Sequence, residues 1–240
     1  MIPIYRTDPY LHSIETILDA VQEEDGYQLV TCRELIFAEG GGQPRDFGTV
    51  SFGGKISPVL ELIKIKGDVR LKIEKIEGLK KGAVVVASID GERRKAIMRL
   101  HSTQHALAGS LRSFLPDYET GGMGITPDAN ECTMKFRSEM SKGEEDLSKA
   151  IEIVKGAVQR NVKVEATVFD NLDEAKKKFG DLYRPSDPRV QIKGKVRIVH
   201  IDGIDANSCG GTHVRELGEI GEVRAELSSW DGREGVVRIW

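Results

Sequence analysis

Short runs of Val, Ile and Leu, broken by glycine, fill the chain up to residue 90. Tyr27–Thr31, Arg33–Phe37, Thr49–Phe52, Val59–Ile65, Val69–Ile76 and Ala83–Ile89 are predicted strands. Leu60, Leu62, Ile63 and Ile65 only partly alternate with Glu61 and Lys64, so the pattern does not assign the two faces. Gly40–Gly42, Gly53–Gly54, Gly67 and Gly78 read as turns between the strands. Many short strands with glycine turns predict a small barrel or sandwich.

The period changes at Asp90. Asp90 can cap a helix, with Glu92 favourable in its first turn. Ala96, Leu100, Leu107, Leu111 and Phe114 then fall within about 60° of one another at helical spacing. The helix must stop near Leu115, because Pro116 disfavours helical geometry in the residue before it. Ser141 and Glu144 form a candidate capping box for a second helix, with Leu147, Ile151, Val154 and Val158 as its buried stripe and Asn161 as its end. A shorter helix is predicted from Asn171 to Phe179, stopped by Gly180. Cys132–Phe136, Val162–Phe169, Val196–Ile201, Glu222–Leu227 and Val236–Ile239 read as strands. The expected fold class is α+β: a small N-terminal β-barrel over residues 1–90, then a domain over 91–240 with helices on one side of a mostly antiparallel sheet.

Composition narrows the function classes. The chain has 240 residues, 35 basic and 38 acidic, for a net charge of −3. Bulk electrostatics alone will not hold nucleic acid, although a local patch can. The longest apolar run, Ala83–Ala87, is far short of the roughly 20 residues of a membrane helix. The segment Met1–Tyr10 has no apolar core of signal-peptide length, so a cytoplasmic protein without membrane contact is expected. Three widely separated cysteines, Cys32, Cys132 and Cys209, argue against a disulfide framework and for a metal or catalytic use of one of them.

The chemistry concentrates in two places. His101 and His105 lie four apart on the first helix, at the flank of its apolar stripe, where a helix passes from core to cleft. Ser208-Cys209-Gly210-Gly211-Thr212-His213 adds a thiol and a third imidazole more than a hundred residues later. Together they make a ligand set suited to Zn²⁺, and the glycines permit a tight turn that aims Cys209 and His213 at one point. Four protein ligands usually mean a closed structural site; the solvent-flanking helix position favours one that something enters. Ser102, Thr103 and Gln104, between the histidines, supply no carboxylate base of the kind zinc peptidases carry there. The loop Ala38–Gly48 has neither a Walker lysine nor a dinucleotide fingerprint. It reads either as a plain turn or as a bare backbone, Gly40, Gly41 and Gly42, that a substrate approaches, with Gln43 and Arg45 as donors. With no ATP motif in the chain, hydrolysis is the expected reaction.

These motifs, in this order, resemble the editing region of alanyl-tRNA synthetases and the free-standing editing proteins called AlaX. The resemblance runs from Phe37 to Arg238–Trp240, and Cys-Gly-Gly-Thr-His is its specific element. The glycine-rich segment and N-terminal domain, with an end soon after the last strand, match the medium type. The resemblance implies a translation-factor-like barrel followed by a two-layer α/β editing domain. It implies zinc on His101, His105, Cys209 and His213, and hydrolysis of mischarged tRNA(Ala), chiefly Ser-tRNA(Ala) and also Gly-tRNA(Ala). Gly40–Gln43 and Arg45 are then expected beside the substrate, with Thr212 of the later motif. Thr103, between the histidines, and Thr120, before an expected Gly121-Gly122 turn, are candidate readers of the serine hydroxyl. Thr120-Gly121-Gly122-Met123 itself departs from the family pattern.

Two other readings stand beside this one: a threonyl-type editing domain acting on Ser-tRNA(Thr), and a zinc-stabilised RNA-binding module without catalysis. Arg93-Arg94-Lys95 and Lys176–Lys178 are candidate phosphate contacts or simply solvated helix faces. His12 and His200 lack a partner at ligand spacing, and Cys32 and Cys132 read as strand residues packing as small hydrophobes.

Overall fold

The computed structural model describes residues 3–31, 35–65, 68–183 and 194–240. Cys32, Arg33 and Gly67, singled out above, lie outside them. The chain divides into two compact units, one running to Gly40 and resuming over Pro44–Lys95, the other made of Gly41–Gln43 and Ala96–Trp240.

Among the described residues of the first unit a short helix α1 (Ile4–Thr7) precedes seven strands: β1 (Ser13–Ile17), β2 (Ala20–Glu24), β3 (Tyr27–Thr31), β4 (Gly48–Phe52), β5 (Lys55–Ile65), β6 (Asp68–Glu74) and β7 (Val84–Ile89). They form one antiparallel sheet in the order β1-β7-β4-β5-β6-β3-β2. The sheet curls into a half-barrel around Leu18, Val30, Val50, Leu71, Ile73, Val85 and Ala87. Leu18 and Asp19 join β1 to β2, and their N–H groups donate to Ala83 and Thr31 respectively. One stretch of chain thus supplies both ends of the sheet. The sequence pattern passes over β1 and β2 because Ser-Ile-Glu-Thr-Ile and Ala-Val-Gln-Glu-Glu are mostly polar and bury little. The expected strand over Arg33–Phe37 is not one in its described part. Leu35–Phe37 is a buried loop, where Asp46 accepts from the Phe37 N–H at 2.6 Å and Arg94 donates to the Leu35 carbonyl at 3.0 Å.

The helix α2 (Gly91–Phe114) begins where Asp90 accepts from the Arg93 N–H at 3.0 Å. The second unit continues with β8 (Glu119–Ile125), β9 (Cys132–Arg137), α3 (Glu144–Gln159), β10 (Val164–Phe169), α4 (Leu172–Phe179), β11 (Val196–Ile201), β12 (Asp205–Ser208), β13 (Ala225–Trp230) and β14 (Glu234–Ile239). These strands make two antiparallel sheets, β13-β14-β9-β8 and β10-β11-β12, where a single sheet was expected. α3 packs beside β13, and α4 against β10 and β11.

Several local expectations change. α2 is buried on every side from Leu100 to Leu111, not along one stripe, while Ala96 and Phe114 are only half-buried. The capping box at Ser141 does not form: its hydroxyl accepts from the Gly143 N–H, and the Asp146 carboxylate accepts from the Lys142 N–H at 2.7 Å. Ile151 and Val158 are half-buried, and Ala150 and Ala157 fill the core instead. Asn161 does end α3, at φ 52°, and Asn171 caps α4 by accepting from the Glu174 N–H. The expected Gly121-Gly122 turn lies inside strand β8, where the register shifts between Thr120 and Gly122. Among the described residues no helix is long and apolar enough to cross a membrane.

Candidate metal centre

The second unit brings His101, His105, Cys209 and His213 together. One ligand atom from each falls within 4.8 Å of all the others. The Cys209 Sγ lies 3.5 Å from His101 Nε2 and 3.3 Å from His213 Nε2. α2 carries the two histidines one turn apart, and the loop after β12 carries the thiol and third imidazole. The expected solvent-flanking position is not what the fold provides. All three imidazoles are buried, at 4–5% exposure, and only Cys209 is half-buried.

Each imidazole is held from behind through Nδ1. Gln43 fixes the first. Its Oε1 accepts from the Thr212 N–H at 2.9 Å, and its Nε2 donates to the Thr212 hydroxyl at 3.0 Å, so the amide has one orientation. The same Oε1 lies 3.2 Å from His101 Nδ1, which must therefore carry the proton and leave the Nε2 lone pair free. His105 Nδ1 lies 3.0 Å from Asp205 Oδ2, and His213 Nδ1 lies 3.1 Å from the Ser102 hydroxyl. Donors held this way meet the requirement of a metal-ligating histidine.

The loop that carries Cys209 is equally fixed. Arg197 donates to the carbonyls of Cys209 at 2.7 Å and Gly211 at 3.0 Å. The Gly211 N–H donates to Cys209 Sγ at 3.4 Å. A Cβ on Gly211 would lie 2.5 Å from Gln43 Oε1 and 2.7 Å from His101 Nδ1, so only glycine lets the loop pass this closely. Burial pushes the Cys209 thiol up, but the imidazoles of His101 and His213 outweigh it and hold the thiol well below its ordinary range. Burial, reinforced by His101, holds His213 well below the usual imidazole range. Three imidazole nitrogens and one thiol sulfur are the donors that a borderline-soft divalent ion takes.

The remaining residues singled out by sequence fall less uniformly. Gly40, Gly41 and Gly42 are exposed, and Gly42 accepts from the Ile125 N–H of β8 at 2.8 Å. Gln43 is fully buried and engaged by Thr212 and His101, which makes it a support for the cluster where a free donor was expected. Thr212 is buried as its partner. Arg45 belongs to the first unit and donates to the Leu60 carbonyl at 3.1 Å. The Thr103 hydroxyl donates to the Arg99 carbonyl at 2.8 Å within α2, and Thr120 lies in β8 opposite Phe136. Arg94 is no phosphate contact: it is wholly buried in an ion pair with Asp46, while Arg93 stacks on Phe47 at 4.1 Å. Lys176–Lys178 stay in the last turn of α4. Cys132 is buried, its thiol pushed up by burial, and it stands outside the cluster, as do His12 and His200. Sequence reasoning missed Asp205, Ser102, Arg112 and Arg197. The only available signal was the general need of a ligating histidine for an acceptor behind it.

Comparison with known proteins adds the family context. The family described as "Threonyl and Alanyl tRNA synthetase second additional domain" matches residues 196–239, which include Cys209 and His213. An alanyl-tRNA editing protein, AlaX-L of Pyrococcus horikoshii, is 30% identical over 92% of this chain and 53% of its own length. The chain is thus similar over nearly its whole length to part of an alanyl-tRNA editing protein. Alanine–tRNA ligases of Pyrobaculum arsenaticum and Thermoplasma acidophilum are 28% and 29% identical, over 98% and 92% of the chain. The chain spans about a quarter of the length of these ligases and about half of AlaX-L.

Proposed function

We propose that this chain is an AlaX-type trans-editing hydrolase that deacylates mischarged tRNA(Ala), chiefly Ser-tRNA(Ala) and also Gly-tRNA(Ala), with Zn²⁺ as cofactor. The observation that carries the reading is the convergence of three imidazole nitrogens and one sulfur, each histidine tied back through Nδ1. His101, His105, Cys209 and His213 would hold the ion. Its chemistry, when bound, is to polarise an ester carbonyl and activate a water.

The protein's own groups do the rest. Gln43, Asp205 and Ser102 keep the Nε2 atoms pointed inward, so little reorganisation remains at the reacting step. The exposed backbone of Gly40–Gly42 leaves room for the aminoacyl end beside Gln43. Arg45 is proposed as a further contact from the same loop. Thr120 and Thr103 are both proposed readers of the serine hydroxyl: Thr120 is hydrogen-bonded to Tyr118 and Thr103 donates to the Arg99 carbonyl, and each hydroxyl oxygen can still accept. Relatives that match nearly the whole chain include alanine–tRNA ligases and an alanyl-tRNA editing protein, which favours tRNA(Ala) over tRNA(Thr).

Two measurements test the reading. Elemental analysis is expected to find about one zinc per chain, and a double His101→Ala, Cys209→Ala variant to lose it. Chelation is expected to leave a folded protein that no longer deacylates Ser-tRNA(Ala). Unfolding on chelation would favour the non-catalytic module, and full zinc retention in the double variant would remove the site.

A further inference from the structure

His105, Gly109 and Arg112 follow one another along α2 at helical spacing, and all three meet the segment Ile204–Asp205 at the start of β12. A Cβ on Gly109 would lie 2.5 Å from the Ile204 carbonyl oxygen and 2.9 Å from Asp205 Cβ, so the helix meets this segment directly. Asp205 is completely buried between its two partners. One carboxylate oxygen lies 3.0 Å from His105 Nδ1, and the other is ion-paired with Arg112. A carboxylate oxygen in this setting accepts, so His105 donates from Nδ1 and offers Nε2 to the cluster.

We infer that Asp205 is a positioning residue: it sets the tautomer and ring orientation of His105 for a divalent cation, and Arg112 locks the carboxylate in place. The inference rests on the metal-site reading above and assigns residues that reading did not need. It differs from a merely structural role, in which Asp205 would serve only to neutralise a buried guanidinium. Asp205→Ala alone takes the carboxylate from Arg112 and changes the local charge, so the decisive variant is Asp205→Ala with Arg112→Leu, which removes both charges together.

Zn²⁺ affinity of the full chain is measured by chelator competition, beside thermal melting and the visible spectrum of the Co²⁺-loaded protein. The double variant is expected to melt near the wild type, to bind Zn²⁺ about 10- to 100-fold more weakly, and to show a shifted Co²⁺ spectrum. Wild-type affinity and spectrum in the double variant would overturn the inference. A measurement that needs no variant is the long-range ¹H–¹⁵N spectrum of imidazoles in the Zn²⁺-loaded wild type. It is expected to show His105 protonated at Nδ1, and a proton on Nε2 would overturn the inference. A wild type that binds no Zn²⁺ at all would remove the metal reading itself.

Discussion

Adding a single methyl group at Gly211 tests the geometry of the cluster directly. In Gly211→Ala the new carbon would sit 2.7 Å from His101 Nδ1 and 2.5 Å from Gln43 Oε1. Ordinary carbon contacts begin near 3.4 Å, so each neighbour must retreat by about 0.7–0.9 Å. Those two atoms are the partners of the 3.2 Å hydrogen bond that holds the His101 tautomer. The methyl group therefore pries apart the contact that aims Nε2. A displacement near 1 Å at a catalytic group costs up to about 100-fold in rate, or roughly 2.7 kcal/mol in barrier. Overpacking is expected to lower stability by about 1–3 kcal/mol as well. The assay compares zinc per chain, the melting transition and Ser-tRNA(Ala) deacylation in one preparation. Loss of zinc and of rate, with most of the stability retained, is the expected result. Wild-type zinc content and rate would refute the reasoning, because the loop would then have room that the described packing denies it.

The other expectations are simpler. Ser-tRNA(Ala) is expected to be deacylated roughly 5- to 150-fold faster than Ala-tRNA(Ala), since a hydroxyl partner left unpaired costs about 1–3 kcal/mol. One of Thr120→Val and Thr103→Val is expected to narrow that ratio; a ratio unchanged in both variants would remove the assignment. Gly41→Val adds a β-branched side chain at φ 59° in open space, so deacylation is expected to fall with zinc content kept. Equal loss of zinc and activity in that variant would argue against a substrate-facing loop. Asp46→Ala strands the buried Arg94, and chemical denaturation is expected to register a loss of about 3–5 kcal/mol. A loss under 1 kcal/mol would mean that Arg94 finds water.

The candidate ligands were legible because their spacing is local. His101 and His105 share a helix face by periodicity alone, and Cys209 and His213 share one short loop. Their burial was not legible. α2 reads as polar around the histidines, yet surrounding elements cover it from Leu100 to Leu111, and no pattern within the helix announces that. Asp205 and Ser102 gain their meaning from partners about a hundred residues away. The role of Gln43 was misjudged for the same reason: 169 residues separate it from Thr212, which engages both ends of its amide. β8 and β12 escaped notice because Glu-Thr-Gly-Gly-Met-Gly-Ile is rich in glycine and Asp-Ala-Asn-Ser is short and polar.

Gly41–Gln43 belongs by its packing to the second unit, although the chain on both sides of it belongs to the first. The partition in space is therefore not a partition that scissors could reproduce. A fragment cut at Ala96 keeps every candidate ligand but loses the one side chain that sets the proton on His101, together with the backbone acceptor for Ile125. Its histidine would be free to turn or to change tautomer, and the Thr212 N–H would have to find another acceptor. The smallest self-sufficient form of this cluster is longer than the stretch that contains its ligands.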